Sequence, residues 1–498
     1  MHAEWKARGS QKLIKAAVGA GVAMAVPGAV NAESAVKAGD AGCPNIILIF
    51  ADDLGYGDLG CFGSPNIKTP HLDKMAAEGV KFKSFYAAPV CGPSRAQLMT
   101  GSYSVRTGSG HNEVPLSPTG LNPNEVTMAE VLKDAGYRTM HIGKWHLGDA
   151  PEFMPTSQGF DQFWGFPYSH DMWPYHPLSS SKRIESAPDR ELMKQMLDRK
   201  KKMRYTAKGS WEFPDLPLFE NETVIEKNPK MAPMTTRFTE KALEFIDANK
   251  DRPFFLYMAH TMPHTPLFVS EKFSGKSERG LYGDAVMEMD WSCGQIFKKL
   301  KELNIDDNTL VVFSSDNGPT TKYGKDGGSA GVLRGGKGTQ YEGGVRVPTI
   351  FRWPNTIPAG VKTDSMASTI DLLPTFASLA KTGVPTDRTI DGRDLTPLMT
   401  GKTSSSPHEY LHYMVGGRGG SSKMNYKAVR NQKWKLFVKM SKSGKVSPTE
   451  LYNLETDVSE KKNVLKQNQA IAKAMAADAT VFLKELIKNK RPVGRVSK

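Results

Sequence analysis

Four short apolar runs, each closing on polar or ionisable side chains, constrain this chain more than any other feature. Asn45-Ile46-Ile47-Leu48-Ile49-Phe50-Ala51 runs into Asp52-Asp53, and Leu310-Val311-Val312-Phe313-Ser314-Ser315 runs into Asp316-Asn317-Gly318. Residues 253–259 lead to His260 and His264, and residues 137–143 lead to Lys144-Trp145-His146. Runs of this length, apolar throughout and bounded by turn residues, are expected to be strands buried on both faces, as in parallel sheets covered by helices. Amphipathic stretches at 124–135 and 235–248 supply such helices. The alternation predicts an α/β fold with a large, mainly parallel sheet flanked by helices, whose ligands bind beyond the carboxyl ends of the strands. The polar side chains sit at those ends.

From about residue 404 the pattern changes to strand-like runs at 410–414, 426–429, 433–438 and 450–454, followed by a helical stretch. This predicts a large domain over 43–403 and a smaller antiparallel α+β domain over 404–498. An insertion is expected at about 179–233, where few apolar positions are periodic. Within it, residues 182–204 hold nine Lys or Arg against four acids. That run is either a solvated helical face or a lip that draws an anionic substrate.

Residues 1–32 have the layout of a cleavable export signal: Lys6, Arg8, Lys12 and Lys15 precede a small-apolar stretch ending in Val30-Asn31-Ala32. An anchoring helix is the alternative, although the stretch is short and rich in Gly and Ala. No later segment is long and apolar enough for a stable membrane span, so a periplasmic or secreted protein is expected. Removing the leader leaves +11 of the +14 formal charge. No nucleic-acid module accompanies that charge, so acidic or sulfated substrates fit it better than nucleic acid. Four cysteines, Cys43, Cys61, Cys91 and Cys293, are too few for a disulfide scaffold; one pairing, with Cys43–Cys61 as the candidate, stays open.

If the strands that end at Asp52-Asp53 and at Asp316-Asn317 are neighbours, Asp52, Asp53, Asp316 and Asn317 surround one point with hard oxygen donors, which favour calcium or magnesium over zinc. A second focus is Cys91-Gly92-Pro93-Ser94-Arg95-Ala96-Gln97-Leu98-Met99-Thr100-Gly101. Pro93 near its start and Gly101 at its end frame a short helix, and its N-terminus places Cys91 where anions are favoured. Asn221-Glu222-Thr223 is a glycosylation sequon to which no role is attached.

The Cys91–Gly101 segment resembles the Cys-x-Pro-Ser-Arg signature of type I sulfatases, of the alkaline phosphatase-like superfamily, without a departure. The resemblance continues through Gly136-Tyr137-Arg138-Thr139 to Gly143-Lys144-Trp145-His146-Leu147-Gly148, then Pro167-Tyr168-Ser169-His170-Asp171, His264-Thr265-Pro266, Asp316-Asn317-Gly318, and Gly336-Lys337-Gly338-Thr339 with Tyr341-Glu342-Gly343-Gly344-Val345-Arg346. These elements occur in the family's order, and the Pro-Tyr-Ser-His-Asp element points to its arylsulfatase A-like branch.

The resemblance implies that Cys91 is oxidised by a separate formylglycine-generating enzyme to formylglycine (3-oxoalanine), whose hydrate is the nucleophile. It implies that Arg95 holds that hydrate, and that Asp52, Asp53, Asp316 and Asn317 bind one metal ion, usually calcium, with magnesium as the alternative. Lys144, His146, Ser169, His264 and Lys337 would surround the sulfate. His264, assisted by Lys337, would protonate the leaving alcohol, Asp316 would help deprotonate the attacking hydroxyl, and His146 would take the proton that expels sulfate. A plain serine lacks the second hydroxyl this exit needs. His170 and Asp171 are left as supporting or substrate contacts. The implied activity is hydrolysis of aryl or carbohydrate sulfates. Its rivals are a phosphomonoester or phosphonate hydrolase of the same superfamily, against which the Pro-Tyr-Ser-His-Asp and Gly-Lys-Trp-His-Leu-Gly elements argue, and a non-catalytic binder of sulfated glycans, against which the intact Cys91, Arg95 and metal-ligand set argue.

Overall fold

A computed structural model describes residues 42–175, 213–416, 424–441 and 444–496. The leader at 1–32 and the basic run at 182–204 lie outside the described residues. Every residue of the strand Asn45–Ala51 is buried. Ile47, Ile49 and Ala51 enter one core, and Ile46, Leu48 and Phe50 enter another on the opposite face. That two-sided burial is why the run is apolar throughout.

The main sheet has ten strands, in the spatial order Val361–Thr363, Val80–Phe82, Thr349–Arg352, Thr309–Ser315, Asn45–Ala51, Phe254–Ala259, Arg138–Lys144, Gln162–Phe166, Pro217–Glu220 and Thr223–Lys227. From Thr309–Ser315 through Gln162–Phe166 the pairing is parallel. Antiparallel pairs flank this centre on both sides. The four runs singled out from the sequence are therefore the adjacent strands at the centre of an α/β sheet. Helices such as Met234–Ala248 and Leu281–Glu302 cover one face, and Met128–Asp134 and Leu372–Leu379 the other.

The end of the stretch expected as an insertion is instead part of the sheet. Pro217–Glu220 and Thr223–Lys227 form an antiparallel hairpin on its edge. Only Leu218 and Phe219 in the first strand are buried and the second strand is largely exposed, so apolar periodicity is too sparse to reveal them. Asn221 turns this hairpin at φ 55°. Its side-chain oxygen accepts the Phe163 N–H at 3.0 Å, so the sequon asparagine is held within the sheet edge.

A second sheet, antiparallel, comprises Leu411–Gly416, Met424–Arg430, Trp434–Met440 and Val446–Asn453. Helix Gln469–Lys488 covers one face, setting Ala472, Met475, Ala479, Leu483 and Leu486 against Val429, Leu436, Val438 and Leu451. The other face meets the segment after Lys337. Lys435 is fully buried there and binds Glu342 at 2.8 Å and Glu460 at 3.2 Å.

The Cys43–Cys61 pairing is not formed: all four cysteines are free thiols. Cys61 packs against the core on one face of the main sheet and Cys43 against the core on the other, so the sheet separates them. No helix among the described residues is long and apolar enough to cross a membrane.

Candidate active site

Parallel register brings the two acidic strand ends together. Ala51 pairs with Ser315, so Asp52 and Asp316 leave the sheet side by side. The Asp316 N–H donates to the Ala51 carbonyl at 3.1 Å. The Asp53 N–H donates to Asp316 Oδ1 at 3.1 Å, closing the turn from the other side. Asp53 itself has φ 63°, a left-handed conformation that a short polar side chain tolerates better than most.

Helix Cys91–Thr100 points its N-terminus into this cluster, and all its residues are buried. Gly101, at φ 61°, ends the helix in the left-handed cap that glycine permits. The Asn112 side chain accepts the Gly92 N–H at 2.8 Å, satisfying a donor of the first turn. Cys91 opens the helix; its thiol lies 3.4 Å from Asp52 Oδ1 and accepts from Lys337 Nζ at 3.2 Å. One turn on, Arg95 donates to Asp316 Oδ2 at 2.9 Å and to the Lys144 carbonyl at 2.5 Å.

The remaining residues named from the sequence are distributed as follows. Lys144 Nζ binds Asp52 Oδ2 at 2.6 Å. Lys337 Nζ lies 2.8 Å from Asp53 Oδ1 and 2.9 Å from Oδ2. His264 Nε2 is 3.6 Å from Asp53 Oδ2, while its Nδ1 pairs with the Thr265 carbonyl at 2.6 Å. His146 is buried, at φ 67°, with Nε2 3.1 Å from the Glu113 carbonyl and Nδ1 without a hydrogen-bond partner among the described residues. His170 Nε2 pairs with the Pro266 carbonyl at 2.8 Å, and its ring lies 5.7 Å from that of His264. The Ser169 hydroxyl is buried without a hydrogen-bond partner among the described residues, and it makes no direct bond to the Asp52–Cys91 cluster.

Charge in so buried a place is held by compensation. Burial opposes ionisation of Asp52, but Lys144 and then His264 outweigh it and keep the carboxyl well below its usual range. Burial likewise disfavours the charged Lys337, but Asp53 and its neighbours raise its pKa well above normal. Asp316 moves the other way: burial and the adjacent Asp52 push it up to about 6 despite Arg95. Burial, reinforced by Lys144, holds His146 well below the usual imidazole range, so its ring is neutral at neutral pH.

Two residues of this site carried no signal in the sequence. Thr320 donates its hydroxyl to Asp53 Oδ2 at 2.8 Å. Glu113 acts on His146 through its main-chain carbonyl, which any residue type would supply.

Ligand atoms of Asp52, Asp53, Cys91 and His264 lie within 4.8 Å of one another. Asp316 and Asn317 adjoin them. The Asn317 amide nitrogen donates to Asp53 Oδ1 at 2.7 Å, whereas its Oδ1 is buried without a hydrogen-bond partner among the described residues. Three carboxylates and one orphaned amide oxygen form a donor set suited to a hard divalent cation.

Known proteins share this architecture. The Sulfatase family profile matches residues 44–382, and a profile described as N-sulphoglucosamine sulphohydrolase, C-terminal, matches residues 336–488. Arylsulfatase A of Homo sapiens is 43% identical over 379 residues, covering 74% of this chain and 70% of its own length. N-acetylgalactosamine-6-sulfatase of Canis lupus familiaris is 40% identical over 383 residues, covering 74% of this chain and 69% of its own length. Among solved structures, Ps i-CgsB superimposes with a TM-score of 0.73 at 32% identity, over 89% of this chain and 93% of that one, and it has also been solved in complex with k-i-k-neocarrahexaose. Matching along this length and at this identity shows that the chain belongs to the sulfatase family and is a sulfuric ester hydrolase of the arylsulfatase-like kind.

Proposed function

We propose that this sulfatase acts on carbohydrate sulfates through a formylglycine made from Cys91, with one divalent cation, calcium or alternatively magnesium, held by Asp52, Asp53, Asp316 and Asn317. The observation that carries this reading is the position of Cys91: its thiol meets both Asp52, at 3.4 Å, and Lys337, at 3.2 Å, at the buried N-terminus of a helix. A nucleophile there faces a cluster able to hold a metal on one side and a cation on the other. The basic chain supports an anionic glycan as substrate.

When bound, the cation would offset negative charge on the sulfuryl oxygens. Formylglycine at position 91 would supply, as its hydrate, one hydroxyl to attack sulfur and a second whose deprotonation releases sulfate. Lys144 and Lys337 add fixed positive charge beside the reacting group, in a site where burial strengthens its effect. Arg95, anchored by Asp316 and the Lys144 carbonyl, keeps the hydrate in line. His264 uses Nδ1 on the Thr265 carbonyl, so Nε2 is the nitrogen that delivers a proton to the leaving alcohol. His146 donates its Nε2–H to the Glu113 carbonyl, and this leaves the lone pair on Nδ1 to take the proton of the second hydroxyl. Ser169 is assigned to sulfate contact. Maturation requires a formylglycine-generating enzyme, and the leader at 1–32 supports export to the periplasm or beyond. Residues 43–403 are assigned to catalysis and 404–498 to a smaller domain.

The test is hydrolysis of a chromogenic aryl sulfate against the matching aryl phosphate, with protein co-produced with a formylglycine-generating enzyme and conversion at position 91 checked by peptide mass. Turnover of the sulfate that disappears in Cys91→Ala supports the reading. Preference for phosphate, or full activity of unconverted protein, overturns it.

A further inference from the structure

The segment that carries Lys337 continues as Gly338-Thr339-Gln340-Tyr341 into one wall of a groove of about 640 Å³. The opposite wall is the antiparallel sheet, which contributes Lys427, Phe437, Lys439 and Glu450. The groove begins one residue after Lys337 of the reaction centre: the Gly338 N–H donates to the Pro89 carbonyl at 2.7 Å, two residues before Cys91. Its volume lies in the range of ligand clefts, beyond what a sulfate group alone requires.

The sheet is irregular at this wall. Tyr413 pairs with Ala428 and Met414 with Tyr426, which leaves Lys427 as an extra residue in its strand. Phe437 pairs with Glu450 and Val438 with Pro448, which leaves Thr449 extra in the neighbouring strand. Both residues line the groove. Bulges re-aim side chains, and they concentrate beside binding sites.

The lining combines an aromatic step with cations. The rings of Tyr341 and Phe437 lie 4.8 Å apart, and the Arg334 guanidinium, which does not itself line the groove, lies 3.9 Å from the Tyr341 centroid. Lys427 and Lys439 are exposed and have no ion-pair partner among the described residues, in contrast with Lys435, four positions before Lys439 on the same face. The acid among the lining residues, Glu450, already accepts the Tyr452 hydroxyl at 2.6 Å. Sugar rings present C–H faces that pack on aromatic rings, and their sulfate groups seek cations.

We propose that this groove is a subsite for further sulfated sugar units of an oligosaccharide whose reacting sulfate lies at Cys91, with Lys427 and Lys439 as its anion contacts and Phe437 and Tyr341 as its platform. The proposal rests on the carbohydrate-sulfatase reading and deepens it. It makes the enzyme selective for chains over isolated sugar sulfates.

The experiment measures binding by calorimetry at low salt, on Cys91→Ala protein so that turnover plays no part. The probes are three purified hexasaccharides, from carrageenan, chondroitin sulfate and heparan sulfate. The groove variant is Lys427→Ala/Lys439→Ala; the charge-matched control is Lys473→Ala/Lys484→Ala, on the helix behind the sheet. We expect at least one probe to bind, with an affinity at least tenfold weaker in the groove variant and less than threefold weaker in the control. Equal losses in both variants, no loss in the groove variant, or failure of all three probes to bind overturns the subsite. Aryl sulfate turnover by the unmutated enzyme judges the underlying sulfatase chemistry separately.

Discussion

Lys144 reaches from the end of its strand past the end of Phe254–Ala259 to Asp52 on the next strand, forming an ion pair of 2.6 Å in which both side chains are fully buried. The bond ties together three strands of the parallel centre and points a cation at the proposed sulfate position. Breaking a buried pair on one side strands the other charge, at a cost of about 3–5 kcal/mol. His264, Arg95 and Lys337 also face Asp52, which places the effect near the lower end of that range. Lys144→Ala is therefore expected to lower unfolding free energy in urea by about 3 kcal/mol, and kcat/KM on an aryl sulfate by roughly 100-fold or more. Stability equal to that of the unmutated protein would show that Asp52 is neutralised without Lys144.

Cys91→Ser separates the two hydroxyl roles. A serine hydroxyl can attack sulfur but has no geminal partner to expel the sulfate. The expected outcome is a single sulfuryl transfer to the protein without turnover, read as one added sulfuryl group on the 91–95 peptide by mass spectrometry. Repeated turnover by the serine variant would remove the need for the aldehyde.

Divalent-ion removal tests the donor set independently of catalysis. Asp52, Asp53 and Asp316 crowd three carboxylates together, and a bound cation relieves their repulsion. Chelator treatment should lower the melting temperature and added calcium should restore it, as ligand binding to the native state requires. Asn317→Ala removes the orphaned amide oxygen and should shrink the calcium-dependent shift. A melting temperature insensitive to chelator in both proteins would argue against a resident metal.

Acid sensitivity is expected to arise from buried histidines outside the Asp52–Cys91 cluster. His412 stacks on Phe482 at 3.6 Å, pairs through Nδ1 with the Tyr426 hydroxyl at 2.8 Å, and is pushed down to about 3 by burial, with His408 and Arg106 adding to the effect. The unfolded chain takes up this proton near pH 6.5 and the folded chain does not until about pH 3. The contribution is thus intact above pH 6.5 and is lost as pH falls toward 3, at up to about 1.4 kcal/mol per pH unit. His412→Phe should flatten the fall in unfolding free energy between pH 6.5 and 5, while costing about 1 kcal/mol at pH 7.5 from the lost hydrogen bond. An unchanged slope would assign the acid limb to other groups, among them His260, which burial also holds down to about 4.

Local sequence and tertiary structure contributed different parts of this protein. Ile46–Phe50 are apolar at every position because both faces of their strand are covered, so the central strands could be recognised from composition alone. The frame of the Cys91 helix was equally legible, since Gly101 ends it for a local backbone reason. The edge hairpin at 217–227 was not: it buries too few side chains to leave a period. Nor could the chain state that residue 45 pairs with residue 309, because parallel pairing joins distant segments without a local marker. That pairing alone sets Asp52 beside Asp316, and folding decides that Lys144, Lys337 and His264 surround them. The same limit hid the Glu113 carbonyl that orients His146 and the Thr320 hydroxyl on Asp53, and it left open a Cys43–Cys61 bridge that the intervening sheet forbids. Residue types with local conformational or burial demands were thus readable one segment at a time. The site itself was decided by register and long-range packing, whose energies depend on which segments meet.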